Sequence, residues 1–190
     1  MALRLDWLKR PIASTDDPER RAAIEQQRQR ARHVLERANQ IAASTQLAPG
    51  RERGVAIDRY GNTWVAQIAE VSLAGDVPRI DRIVCVFDCG LVVNPQIVKA
   101  QIEGSIVWAL QPIMFEALSV ENGQVLQSNF HDYQLPRMAD CPEIEIEIVE
   151  SQMSPSGAGE PAVAPLAPAV ANAYFALTAE RKRRLPVFAP

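Results

Sequence analysis

The sequence predicts an α+β protein in which antiparallel sheets carry packed helices. Three observations lead there. Apolar residues recur at helical spacing over residues 17–43, the pattern shifts to β-branched and aromatic runs from Gly54 onward, and short turn signals join those runs.

Residues 1–16 are mixed, with Pro11 and the Ser14-Thr15-Asp16-Asp17 cluster breaking any regular element, and are expected to be loosely ordered. Residues 17–190 are then expected to form one folded unit. Asp17-Pro18-Glu19 reads as a helix start, with an N-cap, a proline in the first turn and an acid after it. Ile24, Ala31, Val34, Leu35, Ala38 and Ile41 mark the buried stripe, while Arg20, Arg21, Glu25, Arg28, Arg30, Arg32 and Glu36 crowd the other sides. Strands are predicted over 54–60, 63–73 and 78–87. Turns at Gly61-Asn62 and Gly75-Asp76 make them an antiparallel meander.

Asn94-Pro95 opens a second helix, and Ile97, Val98, Ile102, Ile106, Val107, Trp108, Ala109 and Leu110 leave it so little polar surface that burial on all sides is expected. Gln101 would be a buried amide in need of partners, and Gly104 in mid-helix would mark a close neighbour. Segments 112–118 and 124–130, around Glu121-Asn122-Gly123, read as a further hairpin. Ile144, Ile146 and Ile148 alternate with Glu145, Glu147 and Glu150 as a half-buried strand. A last helix over 165–178 carries Ala167, Ala169, Ala171 and Ala173, small enough for close packing.

A net charge of -3 and a pI near 5.5 speak against nucleic acid or a membrane surface as partner. The run Arg181-Lys182-Arg183-Arg184 is read as helix C-terminal cations. Three cysteines, Cys85, Cys89 and Cys141, give no disulfide framework, and with only His33 and His131 beside them no structural zinc site. Cys85 and Cys89 are expected in the sheet as small apolar residues, and His131 as a hydrogen-bonded structural histidine near Tyr133. No apolar run reaches membrane-spanning length and Met1 to Trp7 lacks an apolar core, so neither a transmembrane segment nor an export signal is expected.

Chemistry concentrates in Ser154-Pro155-Ser156-Gly157-Ala158-Gly159-Glu160-Pro161. Gly157 and Gly159 permit positive φ and close backbone approach, and Glu160 is a carboxylate enclosed by glycine backbone and an apolar helix. The plain alternative is a surface loop ending in a solvated glutamate.

Four stretches together resemble the C-terminal part of the molybdopterin-binding large subunit of the xanthine oxidase family, in its isoquinoline 1-oxidoreductase and aldehyde dehydrogenase branch. They are Val86-Phe87-Asp88-Cys89-Gly90 with Val93-Asn94-Pro95, Gln101-Ile102-Glu103-Gly104, Asn129-Phe130-His131-Asp132-Tyr133, and the Gly157 loop running into Ala173. The resemblance implies a partial molybdenum-cofactor-binding domain of a molybdenum hydroxylase, which oxidises an aldehyde or N-heteroaromatic carbon with water as oxygen source. It implies that Glu160 is the catalytic base, that Gln101 hydrogen-bonds the pterin, and that Gly157, Ala158 and Gly159 lie against the cofactor. The cofactor implied is molybdenum-molybdopterin in its cytosine dinucleotide form, shared with a partner chain, with no metal ligand from this one.

The implied partners are the remaining part of the large subunit, a [2Fe-2S] subunit bearing the iron–sulfur clusters, and a small-molecule substrate. The family's subunit is several times longer, so this chain is not expected to act alone. A truncated or excised domain without activity, and a non-enzymatic scaffold or interaction module, stay open as alternatives. The compartment expected by default is the cytoplasm, or the periplasm if a partner chain exports both.

Overall fold

A computed structural model describes residues 17–188, so the expectation of a loose segment over 1–16 lies outside the described residues. Helix α1, Pro18–Ser44, starts as its sequence dictates. The Asp17 carboxylate accepts from the backbone N–H of Glu19 at 2.9 Å and of Arg20 at 3.3 Å. Pro18 occupies a position whose N–H would have no partner within the helix. Ala31, Val34, Leu35, Ala38, Ile41 and Ala42 are buried along one stripe.

Strands β1, Arg51–Tyr60, β2, Thr63–Ala74, and β3, Val77–Asp88, form the antiparallel meander. Gly61 and Gly75 supply the positive φ of its turns, 58° and 66°. Side chains alternate between the sheet's faces. Ala66, Ile68, Val84 and Val86 meet α1, whereas Val65, Ala69, Ile83, Cys85 and Phe87 point the other way into the larger core.

That larger core is covered by α2, Pro95–Met114, and α3, Leu166–Thr178. Asn94 caps α2 by accepting from the N–H groups of Gln96 and Ile97 at 3.1 and 3.2 Å. The helix runs on through Pro112, where strand was expected. A proline so near the C-terminal end costs one intrahelical bond, and the N–H groups of Phe115 and Glu116 both close on the Gln111 carbonyl at 3.0 Å. The expected hairpin shrinks to β4, Val120–Glu121, and β5, Gln124–Val125, joined through Asn122 and Gly123 at positive φ. Strand β6, Glu143–Ile148, then adds parallel to β3, giving the order β1-β2-β3-β6. A parallel neighbour requires a long crossover, which α2 and the irregular segment after it provide.

Helix α3 comes closest to the sheet at Gly54. A Cβ there would lie 2.1 Å from the Ala169 carbonyl oxygen and 2.2 Å from the Ala173 nitrogen. The alanines of α3 serve as expected, and the Asn172 amide donates to the Val55 carbonyl at 3.0 Å, covering the edge of β1. The basic run does not cap α3. The helix ends at Thr178 with no cation in its last turn, and the chain folds back so that the Arg181 guanidinium stacks 3.6 Å over the Phe175 ring. Cys85 and Cys89 are buried free thiols, and burial pushes Cys85 up to about 12. No helix among the described residues is long and apolar enough to cross a membrane.

Two buried ionic clusters escaped the sequence reading. Arg30 on α1 meets Asp88 at the end of β3 through two bonds, Nε to Oδ2 at 2.7 Å and Nη2 to Oδ1 at 2.8 Å. On the same face, Glu70 is buried among Arg53 at 2.7 Å, Arg82 at 3.3 Å and Arg51 at 3.9 Å. Partners so far apart in the chain leave no local signature.

Candidate functional site

The 153–157 segment is fastened to the ends of the strands. Leu91 donates its N–H to the Met153 carbonyl and Ser156 donates its own to the Cys89 carbonyl, each at 2.8 Å. Gly90, at φ 80°, allows this approach, because a Cβ there would lie 2.3 Å from the Ser154 carbonyl oxygen. On the other side the Asn62 N–H donates to Ser156 Oγ at 3.2 Å, tying the loop to the β1–β2 turn.

Beyond this point the chain reaches Glu160, and the turn 161–165 separates that residue from α3. Glu160 was expected to be enclosed, but it is exposed in this chain. It lies at a recess of about 530 Å³ whose walls are Gln101, Gly104 and Trp108 of α2 together with Gly159 and Val163. Gln101 Oε1 lies 3.6 Å from the position a Cβ on Gly159 would take. Two regions 58 residues apart in sequence therefore meet at one spot. Tyr60, at the end of β1, faces the same carboxylate: hydrogen bonding to Glu160, the negative charge of Glu160 and burial hold its phenol above its ordinary pKa.

Several expectations need correction. Helix α2 is buried on one face only, through Ile102, Ser105, Ile106, Ala109, Leu110 and Ile113. Its other face carries Ile97 at 60% and Trp108 at 66% exposure, because the sheet lies on one side of it. Gln101, expected as a buried amide, is on that open face and exposed. Gly157 and Gly159 do not adopt positive φ. A Cβ on Gly104 or Gly157 would meet nothing within 4 Å, so the neighbour expected beside Gly104 is not among the described residues.

Of the predicted residues, the structure brings Gln101, Gly159 and Glu160 together. Gly157 and Ala158 stay outside the recess, and Ala158 packs against the main core. The sequence reading marked Gly104 for a close neighbour, noticed Trp108 only as part of a helix face, and missed Tyr60. The spacing 97, 100, 101, 104 and 108 was a usable signal, since these positions share one side of a helix.

His131 is also not the packed histidine expected. Its side chain is 77% exposed and its Nε2 lies 3.8 Å from Asp132 Oδ2. Asp132 does the structural work there, accepting from the N–H groups of Ser128 and Asn129 at 2.9 and 2.8 Å. Those bonds, the Ser128 hydroxyl and the His131 charge lower its pKa. Among the described residues no group of three or more His, Cys, Asp or Glu could hold a metal ion.

Residues 51–142 match the family model of a molybdopterin cofactor-binding domain. The chain is 34% identical over 158 residues to the isoquinoline 1-oxidoreductase subunit beta of Brevundimonas diminuta, covering 82% of this chain and 20% of that protein. In sequence and fold the chain matches the molybdopterin-binding domain of the xanthine oxidase family of molybdenum hydroxylases. The likeness to this family extends to a membrane-bound aldehyde dehydrogenase of Gluconacetobacter polyoxogenes, named for pyrroloquinoline quinone, at 35% identity over 73% of this chain and 17% of that protein. Among solved structures, quinoline 2-oxidoreductase from Pseudomonas putida 86 superposes with a TM-score of 0.54 at 29% identity, over 62% of this chain and 16% of that one. The chain thus spans about a fifth or less of the length of these relatives. Gln101 and Gly104 fall inside the matched segment, and Glu160 falls beyond it.

Proposed function

We propose that this chain supplies part of the cofactor pocket of a molybdenum hydroxylase acting on an aldehyde or N-heteroaromatic carbon, and that Glu160 is the base of the reaction. The observation that carries this reading is the meeting of Gln101, Gly159 and Glu160 at one recess. The residues present fit a pterin. Gly104 and Gly159 offer a wall without side chains, against which a flat heterocycle can lie, and the exposed Gln101 amide offers a donor and an acceptor beside it. When bound, the molybdenum cofactor supplies the two-electron redox chemistry and activates water as the oxygen source.

The chain's own residues then have distinct tasks. The Glu160 carboxylate takes the proton from the water whose oxygen attacks the electron-poor carbon. The Tyr60 phenol, which faces that carboxylate, helps to orient it. Gln101 holds the pterin, and Trp108 with Ile97 presents apolar surface for the remaining part of the large subunit. A [2Fe-2S] subunit would receive the electrons. The names of the relatives, isoquinoline and quinoline oxidoreductases and an aldehyde dehydrogenase, support this substrate class.

The test is Glu160→Gln in the complex that the chain forms in its native host. The amide nearly matches the carboxylate in shape and cannot take the proton. Turnover is expected to fall about 10²–10⁴-fold with molybdenum content unchanged. Wild-type turnover would overturn the assignment of Glu160, and a complex holding pyrroloquinoline quinone instead of molybdenum would overturn the cofactor.

A further inference from the structure

We propose that Thr63 and Gln67 are positioning residues for Glu160, gripping the backbone on both sides of it; this rests on the reading of Glu160 as the base. The two residues stand four apart on β2 and therefore project from the same face of the sheet. Both are fully buried, at 0% exposure. Thr63 Oγ1 donates to the Gly157 carbonyl at 2.7 Å, and Gln67 Nε2 donates to the Ala162 carbonyl at 2.8 Å. Gly157 precedes Glu160 by three residues and Ala162 follows it by two. Within that span the Val163 N–H donates to the Glu160 carbonyl at 2.9 Å, and the Ala162 side chain is fully buried.

The mounting is rigid. Strand β2 is hydrogen-bonded on both sides, to β1 and to β3, so its side chains have little freedom to follow a moving loop. Between the grips the segment is held by packing rather than by ladder bonds, with Ala158 against the main core and Pro161 buried. Exposed as it is, Glu160 has its backbone held from both sides by these two donors, while the Tyr60 phenol faces its carboxylate.

Gln67 is poorly explained by folding alone. Its Oε1 is buried without a hydrogen-bond partner, and its Nε2 has besides Ala162 only a distant contact with Cys85 Sγ at 3.7 Å. An unpartnered buried acceptor is destabilising, and a methionine of the same reach would fill the space without one. What methionine cannot do is hold the Ala162 carbonyl.

The experiment compares amide hydrogen exchange, residue by residue, in the full chain and in Thr63→Val, Thr63→Ser and Gln67→Met. In Gln67→Met the Val163 amide should exchange about tenfold faster, and in Thr63→Val the Ser156 amide should do the same. The amides of the β2–β3 ladder should be unchanged, and the melting temperature of Gln67→Met equal to wild type or higher. Thr63→Ser keeps the hydroxyl and should restore the wild-type pattern. In the assembled complex both disruptive variants should lower kcat with KM unchanged. Unchanged loop exchange, or acceleration spread equally over the ladder, would overturn the proposal even if Glu160→Gln is inactive. Should Thr63→Val fail to fold, Gln67→Met alone decides by the Val163 amide. Loosened loop amides with wild-type turnover in both the clamp variants and Glu160→Gln would overturn the positioning role and the base together.

Discussion

Arg30→Met should be among the most damaging single substitutions away from the site. The guanidinium makes two bonds to the Asp88 carboxylate, at 2.7 and 2.8 Å, a third to the Asp88 carbonyl at 3.1 Å, and a fourth to Asn62 Oδ1 at 3.2 Å. Side-chain exposure is 9% for Arg30 and 4% for Asp88. Methionine keeps much of the packing volume and leaves a carboxylate buried with only the Gly90 N–H, at 3.2 Å, to satisfy it. Removing one member of such a pair costs about 3–5 kcal/mol. At about 2–4 °C per kcal/mol for a chain of this size, the melting temperature should fall by about 6–20 °C. Guanidinium denaturation of both proteins measures the difference directly. Adding Asp88→Asn removes the stranded charge while keeping an acceptor for Gly90, so the double variant should recover at least half of the loss. A loss below about 1 kcal/mol, or a double variant no better than the single one, would refute the view that the pair fastens α1 to the end of β3.

Gly54→Ala places a methyl 2.1 Å from one backbone atom of α3 and 2.2 Å from another, so the helix must move; a loss of about 1–3 kcal/mol is expected in denaturant titration. Gly104→Ala has the opposite sign, because the added methyl meets open space and alanine favours helix, and the isolated chain should gain up to about 1 kcal/mol. Gln101→Ala should lower the molybdenum content of the purified complex more than the turnover per bound metal, and full metal content would contradict its role. Cys85 has its folded pKa raised by burial from 9.0 to about 12, so its contribution to stability is present below about pH 9 and is lost as pH rises through about 12. At pH 8 a thiol reagent should label Cys141 alone in the native chain, with Cys85 and Cys89 reacting after unfolding; early labelling of Cys85, read by mass spectrometry, would refute its burial.

Much of the fold was legible because it is written locally. Asp17 and Asn94 announce helices through the same capping geometry that the structure displays, and Gly61 and Gly75 announce turns through the φ they adopt. What was not legible depends on partners distant in sequence. The isoleucines of β6 identify a half-buried strand, but nothing in six residues says that β3 will be its parallel neighbour. Pro112 suggested a break because propensity weighs the residue and not its place, and so close to the helix end the lost bond matters little. The Arg30 and Asp88 pair, separated by 58 positions, is invisible until the sheet has formed.

The site was legible for a different reason, and the glycines show it. Gly54 and Gly90 are required by the fold: a Cβ at either would strike backbone at 2.1 and 2.3 Å. Gly104 and Gly157 would strike nothing, and Gly159 would only touch the Gln101 amide at 3.6 Å. Nor do Gly157 and Gly159 need the left-handed conformation that favours glycine elsewhere. Helix α2 tolerates Gly104 in mid-helix at a cost that alanine would remove. Residues whose smallness the described residues do not use are explained if something beyond them lies against them. The exposed Gln101 and Trp108 on the same side of α2 ask for the same neighbour. The misjudged burial of that helix and the choice of Gln101 as a candidate therefore have one cause: α2 carries apolar and small residues on both faces, and the described residues cover only one.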